Sequence, residues 1–263
     1  MAYQITNVEW DSSFLGYPIG SLELPADYSE TELHETLDAA KGRFRLTVIN
    51  LMDNGPEELA TPDAQCRCYD RKIVFKKPIT PPIPPIDPHV KAYISPLCSR
   101  QLEQLAIASG AYSRFKKDLE LSSQYERLYL TWINHAVRGD LADAVWTWRE
   151  GAKIYGLMTL RVAKRINPET GKPEREARVG MLAVNNAQRR RGIGGALLDV
   201  CDFWSESLGI PTASISTQVE NDAVCSLCDK KGYQKVNEES VYHYWSPGWH
   251  YDPHRGWQCN AKE

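Results

Sequence analysis

A run of glycines and arginines between residues 188 and 195 is the part of the sequence best suited to bind a ligand. It reads Gln188-Arg189-Arg190-Arg191-Gly192-Ile193-Gly194-Gly195, and Ala196-Leu197-Leu198 follow it. Glycines let backbone amides approach an anion without obstruction, and a helix start presents unpaired N–H groups with a partial positive charge. The run therefore predicts a helix N-terminus that binds pyrophosphate.

Two common phosphate-binding loops do not account for this run. A Rossmann loop has the spacing GxGxxG and an acidic residue about twenty positions further on, and a Walker A loop ends in Gly-Lys-Ser/Thr. Neither pattern occurs at residues 188–195. The remaining alternative is a glycine-rich turn with a solvated basic run, which would bind nothing.

The residues around the run add a strand before it and a helix after it. Residues 179–184 are a short apolar strand, and the order strand, bend, Arg189-x-x-Gly192-x-Gly194 and helix resembles the Gln/Arg-x-x-Gly-x-Gly/Ala signature of the GNAT acyltransferases. The resemblance implies an α/β (α+β) fold with a mixed, largely antiparallel central sheet flanked by helices, and acetyl-CoA as co-substrate. It implies cofactor contacts from Leu182, Ala183, Val184, Arg189, Arg190, Arg191, Gly192, Ile193, Gly194, Gly195, Ala196 and Asn221.

The resemblance also implies how the reaction runs. A neutral acceptor amine attacks the acetyl thioester directly, the backbone N–H of Val184 polarises the thioester carbonyl, and Asn221 touches the pantetheine arm. Ordered water would take the ammonium proton, because no carboxylate is evident as a base. The activity predicted is that of an N-acetyltransferase.

Cys228 is where the sequence departs from the family. Residues 221–233 resemble the family's closing helix, Asn-x-x-Ala-x-x-x-Tyr-x-x-x-Gly-Phe/Tyr, but Cys228 stands where many members keep a tyrosine that protonates the CoA thiolate. A thiol, with a reference pKa of about 8.5, can give up a proton, so Cys228 is a candidate general acid. Together with the Val184 amide it makes up the predicted catalytic groups. The alternative is a small buried cysteine that fills helix-packing space.

Shorter pieces spread over the chain carry a narrower resemblance. They are Trp10-Asp11 with Phe14 and Gly16, Ser113-Arg114-Phe115, Tyr129 and Trp132 before residues 134–139, and Leu182-Ala183-Val184. They resemble the dTDP-fucosamine (dTDP-4-amino-4,6-dideoxygalactose) acetyltransferases. This resemblance implies a nucleotide-linked amino sugar as the small-molecule acceptor, and an N-terminal α/β region packed on the GNAT domain.

Four residues are candidate acceptor contacts under that resemblance: Ser113, Arg114, Phe115 and Trp132. A guanidinium can clamp the phosphate of a nucleotide sugar while an aromatic ring stacks on base or sugar. The alternative is a surface charge beside a core ring. His135 is a further candidate base, although one histidine in an amphipathic helix is more often structural. Two other functions stay open, namely acetylation of protein or peptide amines and non-catalytic acyl-CoA binding by a scaffold or sensor.

Composition and charge argue against some classes of partner. The 263 residues are 42% hydrophobic and 25% charged, and 31 basic against 34 acidic residues give a net charge of −3. No basic field therefore draws in nucleic acid or an anionic membrane. The start, Met1-Ala2-Tyr3-Gln4, has no basic stretch followed by an apolar run, and ~18 consecutive apolar residues occur nowhere. We expect a cytoplasmic protein that acts on a small molecule, and a homodimer stays open.

The seven cysteines are expected to be free thiols. Cys225 and Cys228 form a CxxC that could join Cys66 and Cys68 on zinc. This CxxC lies inside a helical pattern, however, without the context of a metal knuckle. We expect no metal.

Prolines suggest how the chain is divided. Six of them occur in residues 78–88, which forbids a helix or central strand and favours an extended connector. We predict an N-terminal α/β domain on the acceptor side at 1–77, a connector at 78–90, a GNAT domain at 91–245 and an aromatic-rich tail at 246–263. Within the first region, residues 4–24 predict two short strands around a turn, and Ser29 with Glu32 predicts a capped helix.

Overall fold

The structure, a computed structural model, describes residues 3–61, 66–166, 171 and 173–260. Its strands are β1 (Thr6–Asn7), β2 (Ile19–Leu24), β3 (Leu46–Leu51), β4 (Glu58–Leu59), β5 (Cys66–Pro78), β6 (Val90–Ala92), β7 (Ala144–Glu150), β8 (Lys153–Ile166), β9 (Pro173–Val184), β10 (Thr212–Gln218), β11 (Gln234–Trp245), β12 (Trp249–Asp252) and β13 (Gly256–Cys259). Its helices are α1 (Glu9–Leu15), α2 (Glu30–Ala40), α3 (Arg100–Ser109), α4 (Arg114–Lys117), α5 (Leu119–Ser122), α6 (Tyr125–Arg138), α7 (Ile193–Ser207) and α8 (Asp222–Lys230).

The first of two compact units contains Met1–Lys72 and Asn237–Glu263. Its strands follow the order β1-β2-β3-β11-β5, with β2 parallel to β3 and β3 antiparallel to β11. Helix α2 buries Leu33 and Leu37 in the core of this unit. The Ser29 hydroxyl accepts a hydrogen bond from the Glu32 N–H at 3.4 Å, so the predicted helix cap is confirmed.

Between β1 and β2 the chain forms helix α1, so the prediction of a simple turn there was wrong. The rings of Trp10 and Phe14, four residues apart, stack with centroids 5.2 Å apart, as side chains on successive helical turns can. Gly16 ends the helix in a left-handed conformation with φ of 78°. No residue of α1 is buried, and the segment therefore lacks the buried apolar stripe by which a helix is usually recognised.

The second compact unit is Ile73–Val236, with strand order β10-β9-β8-β7-β6. Neighbouring strands in that series are antiparallel except β9 and β10, which are parallel. One face of the sheet packs on α7 through residues such as Val179 and Leu197, and the other packs on α3 and α6 through Met181 and Ile133. The mixed, largely antiparallel sheet flanked by helices is confirmed.

The two units begin and end at other residues than the predicted domains do. Both boundaries fall inside strands, at Lys72 in β5 and at Asn237 in β11. Residues 79–89 contain no helix or strand, as expected, but belong to the second unit, where Ile79 and Ile86 pack on its core. In the first unit, β12 and β13 of the tail form a hairpin. The acceptor role expected of residues 1–77 stays a prediction.

The described ranges contain neither a membrane span nor a cluster of metal ligands. No helix there is long and apolar enough to cross a membrane. No group of three or more His, Cys, Asp or Glu side chains within these ranges is arranged to hold a metal ion. All seven cysteines are free thiols, and Cys66, Cys201 and Cys228 are buried.

Candidate functional site

Strands β9 and β10 pair along only part of their length. Their parallel register joins residues 176–179 to residues 212–215. Beyond it, β9 continues to Val184 and β10 to Gln218, and the described chain shows no further pairing between the two. The strands therefore diverge and leave a gap between their carboxyl ends.

The amides of β9 at this gap have a direction that is set by β8. The Asn185 N–H donates to the Tyr155 carbonyl at 2.8 Å, and the Met181 N–H donates to the Thr159 hydroxyl at 2.8 Å. Because amides alternate in direction along a strand, the N–H groups of Leu182 and Val184 point away from β8 and toward the gap. This is the direction that the expected role of the Val184 amide requires.

A β-bulge shapes β9 where the gap begins. The register between β8 and β9 shifts between Met158 and Leu160, so that Thr159 faces two residues, Gly180 and Met181. A Cβ on Gly180 would lie only 2.8 Å from the Thr159 hydroxyl oxygen. Because residue 180 is a glycine, the Thr159 hydroxyl can accept its hydrogen bond from the Met181 N–H in the bulged strand.

A cavity of about 340 Å³ opens on the face of the sheet that carries Thr159. It is lined by Ser109, Tyr129, Trp132, Ala136, Leu141, Thr159, Gly180, Met181, Leu182, Ile215, Ser216, Thr217, Gln218, Asn221 and Val224. All of these residues belong to the second unit, and none carries a charge at neutral pH. The cavity thus offers aromatic rings, hydroxyls and amides to a ligand.

The glycine and arginine run forms a turn and the start of α7, as predicted. Residues Asn186–Gln188 form a 3-10 turn, and Gly192, with φ of 81°, begins α7. No side chain caps this helix, and its first backbone bond runs from the Ala196 N–H to the Gly192 carbonyl at 2.9 Å. The amides of residues 193–195 have no partner within the helix and can bind an anion.

Comparisons with known proteins agree with this geometry. Residues 106–233 match the family model of the acetyltransferase (GNAT) family. A GCN5-related N-acetyltransferase from Kribbella flavida has a similar fold, with a TM-score of 0.53 and 13% identity over 94% of this chain and 88% of that one. The chain contains a GNAT acetyltransferase domain.

Two further proteins are similar to the chain. A dTDP-fucosamine acetyltransferase from Escherichia coli O6:H1 is 31% identical over 145 residues, which are 55% of this chain and 56% of the relative. The match therefore spans little more than half of that relative. A predicted acetyltransferase with acetyl-CoA from Clostridium acetobutylicum has a TM-score of 0.42 and 13% identity over 56% of this chain and 90% of that one.

The three arginines of the GNAT domain's loop differ in their surroundings. Arg191 donates to Glu150 at 2.6 Å and to Gln188, and its guanidinium lies 5.4 Å from the centre of the Trp148 ring. Arg189 and Arg190 are exposed and have no side-chain partner in the part of the chain that the structure describes. Arg191 therefore braces the turn, whereas the other two arginines are available to a bound anion.

The small residues at the start of α7 allow a close approach to α8. A Cβ on Gly194 would lie 3.1 Å from a Leu227 methyl carbon, and one on Gly195 would lie 3.1 Å from Cε of Lys231. Ala196 packs partly against the core on the α7 side, and so offers an anion chiefly its backbone. Ala183 is likewise buried in the core formed with α3 and α6.

Asn221, the predicted pantetheine contact, immediately precedes α8. Its side-chain amide donates to the Thr217 hydroxyl at 3.0 Å, and both residues line the cavity at the gap. The structure therefore brings Asn221 together with Leu182 at one cavity, although 39 positions in the sequence separate them.

Cys228, the candidate general acid, lies inside the core of the GNAT domain. Its side chain has no exposed surface and packs in the cluster that contains Leu197 and Tyr233. Burial, with smaller effects from Cys225 and Asp229, raises the pKa of the Cys228 thiol to about 12. Both observations favour the packing alternative over proton donation to a bound thiolate.

Of the four predicted acceptor contacts, the structure places Trp132 on the cavity. Phe115 is buried beside it, edge-on to the Trp132 ring with centroids 6.4 Å apart. The Ser113 hydroxyl accepts a hydrogen bond from the Phe115 N–H at 3.1 Å, and the Arg114 guanidinium lies 4.6 Å from the centre of the Phe115 ring. Ser113, Arg114 and Phe115 do not line the cavity, and the Phe115 ring packs against Trp132 instead.

Sequence reasoning missed several residues of the cavity. Tyr129, which carries part of the narrower resemblance but was not among the predicted contacts, lies one helical turn before Trp132, with ring centroids 5.1 Å apart. This spacing is a signal that could have found it. Thr159 lines the cavity at a β-bulge that no sequence pattern predicts. His135, the further candidate base, is half-buried and bonds Asp140 at 2.8 Å, and it does not line the cavity.

Proposed function

We propose that the chain transfers an acetyl group from acetyl-CoA to an amine of a small molecule, and that this molecule is a nucleotide-linked amino sugar. The observation that carries the proposal is the gap between β9 and β10. The uncapped start of α7 follows β9 on one side of it, and the uncharged cavity opens on the other.

Each part of the site has a role in this transfer. The amides of residues 193–195, with Arg189 and Arg190 nearby, hold the cofactor's pyrophosphate. The N–H groups of Leu182 and Val184 donate to the thioester oxygen and stabilise the charge that develops there. The neutral amine enters from the cavity and attacks the carbonyl carbon, so that a C–N bond forms and the C–S bond breaks. The nitrogen loses one proton to water and the departing thiolate takes one up from water, which yields the amide and the free CoA thiol.

The composition of the cavity supports an amino sugar as the acceptor. Tyr129 and Trp132 offer flat rings on which a sugar can stack, and Thr159, Ser216 and Gln218 offer neutral groups that both donate and accept hydrogen bonds. The similarity to a dTDP-fucosamine acetyltransferase points the same way.

Turnover with a panel of amines tests the proposal. Release of the CoA thiol is followed with acetyl-CoA and nucleotide-linked amino sugars, the same amino sugars without the nucleotide, and peptides with free N-termini. We expect the highest kcat/KM with the nucleotide-linked sugars. Highest turnover on peptides would make the protein a peptide acetyltransferase, and acetyl-CoA binding without turnover on any amine would make it a scaffold or sensor.

The pH dependence of turnover follows from the uncharged cavity. No lining residue is a carboxylate or histidine, so the acceptor ammonium must lose its proton to water before it attacks. Below the pKa of the amine, kcat/KM should rise about tenfold per pH unit, because only the neutral amine reacts. Two acceptors with different amine pKa values should give profiles displaced by that difference. Identical profiles for both would assign the titrating group to the protein.

A further inference from the structure

Two arginines lie directly opposite each other next to the cavity. Arg161 on β8 pairs with Arg178 on β9. Arg161 lies two positions beyond Thr159, which lines the cavity. Residues two apart in a strand share a face and lie about 7 Å apart, and directly paired residues share a face as well. Both arginines therefore stand on the cavity's face of the sheet, at its rim.

This pairing brings two positive charges together at the rim of the cavity. Like charges that are directly opposite each other destabilise a sheet. Arg161 is exposed and has no partner among the residues that the structure describes, and the Arg178 side chain is 56% exposed. Arg178 donates its Nε–H to Glu176 at 2.9 Å, which leaves the outer edge of the guanidinium for another acceptor.

A buried carboxylate holds Arg178 in position. Glu176 is 2% exposed, accepts from the Ser214 hydroxyl at 2.7 Å, and forms an ion pair with Lys76 at 2.8 Å. Burial alone would raise the pKa of Glu176, but the bonds from Lys76, Ser214 and Arg178 outweigh it and lower the pKa to about 2. The carboxylate therefore stays charged and pairs with Lys76 and Arg178. Together with Arg161 these cations outnumber it three to one, so that the rim keeps an excess of positive charge.

We propose that Arg161 and Arg178 bind the diphosphate of the acceptor while its sugar occupies the cavity. This inference rests on the proposed function and names the part of the chain that recognises the nucleotide-linked portion. Guanidinium groups pair with phosphate oxygens in a bidentate way, and two of them side by side match a diphosphate. Arg178 lies four positions before Leu182, whose N–H points to the gap, and this separation along β9 leaves room for one sugar ring between the reacting amine and the phosphate.

The site differs from the two anion sites that the sequence suggested. The loop from Arg189 to Gly195 binds the cofactor's pyrophosphate in the proposed function. Arg114, expected to clamp the acceptor's phosphate, lies over the Phe115 ring and does not line the cavity. Arg161 and Arg178 take the role expected of Arg114, because the sheet, rather than α4, forms the rim of the cavity.

Calorimetric titration of dTDP, UDP and inorganic pyrophosphate tests this proposal, with the full chain saturated with CoA so that the cofactor loop is occupied. Arg161→Gln and Arg178→Gln should each weaken dTDP binding about tenfold or more, since each removes charge-assisted hydrogen bonds. Lys164→Gln is the matched control, because Lys164 is exposed on the same strand but on the opposite face. It should change the affinity for dTDP less than twofold, and CoA affinity should stay unchanged in all three variants.

The outcomes separate this inference from the proposed function. Absence of dTDP binding to the wild-type CoA complex, or equal weakening by Lys164→Gln, would overturn the diphosphate site even if amines are acetylated. Arginine-dependent dTDP binding by a protein that acetylates no amine would support the site and refute the proposed transfer. Weakened CoA binding in the Arg161→Gln variant would show that the pair serves the cofactor instead.

Discussion

The loop proposed to bind the cofactor and the cavity proposed to take the acceptor both adjoin strand β9, yet they are built in different ways. The loop is one continuous stretch, residues 189–195, whose geometry follows from Gly192 and the uncapped start of α7. The cavity collects side chains from α3, α6, α8 and three strands of the second unit. The proposed cofactor site thus depends on local backbone conformation, and the proposed acceptor site depends on packing. Substitutions should affect the two separately.

The largest effect should come from Gly192→Val. A β-branched residue avoids the left-handed φ of 81°, so the turn must rearrange. The amides of residues 193–195 then no longer point toward the proposed pyrophosphate. We expect acetyl-CoA affinity to fall about 100-fold in calorimetry, about the worth of one hydrogen bond to a charged group. The matched control is Gly209→Val at the other end of α7, where φ is 62° and space is likewise open. Equal affinity of the two variants for acetyl-CoA would show that the cofactor does not bind at this loop.

Trp132→Ala should have a smaller effect, and it should weaken binding of the acceptor rather than of acetyl-CoA. Loss of the stacking ring should raise KM for the acceptor about tenfold and leave the Kd of acetyl-CoA within about twofold. Phe203→Ala, which removes a partly exposed ring from α7, is the control for loss of an aromatic side chain. If Trp132→Ala weakens acetyl-CoA binding as much as acceptor use, the two sites are not separable.

Within the loop, Arg189→Gln should reduce acetyl-CoA affinity about fivefold, because an exposed cation that contacts pyrophosphate is lost. The loss should shrink at high salt, since the charge is screened. Arg191→Gln is the comparison, because Arg191 already bonds Glu150. Arg191→Gln should lower the melting temperature of the protein more than Arg189→Gln does, and it should reduce the affinity for acetyl-CoA less. A larger affinity loss for Arg191→Gln at every salt concentration would reverse the assigned roles.

The smallest effect on turnover should come from Cys228→Ala. The thiol is fully buried, so its removal should leave kcat within about twofold and lower the free energy of unfolding by about 1 kcal/mol. Steady-state kinetics and denaturant unfolding measure the two. If turnover instead falls by about two to four orders of magnitude while stability is unchanged, the usual worth of a general acid, Cys228 is the proton donor.

The same contrast explains what could be predicted from the sequence. The loop, the strand before it and the helix after it follow from glycine spacing and apolar pattern, which act over neighbouring residues. The support behind Trp132 depends on how α4 packs on α6, and the bulge at Thr159 and the pairing of Arg161 with Arg178 depend on the register between β8 and β9. Helix α1 was missed for a related reason, because it buries no residue and shows no core-facing stripe.

A crystal structure of the chain with acetyl-CoA tests the central claim most directly. We predict pyrophosphate on the amides of residues 193–195, and the thioester carbonyl within hydrogen-bond distance of the Leu182 or Val184 N–H in the gap between β9 and β10. The acetyl methyl should face the cavity that contains Trp132. A thioester that lies outside this gap, or a pyrophosphate held away from the start of α7, would contradict the assignment of the site.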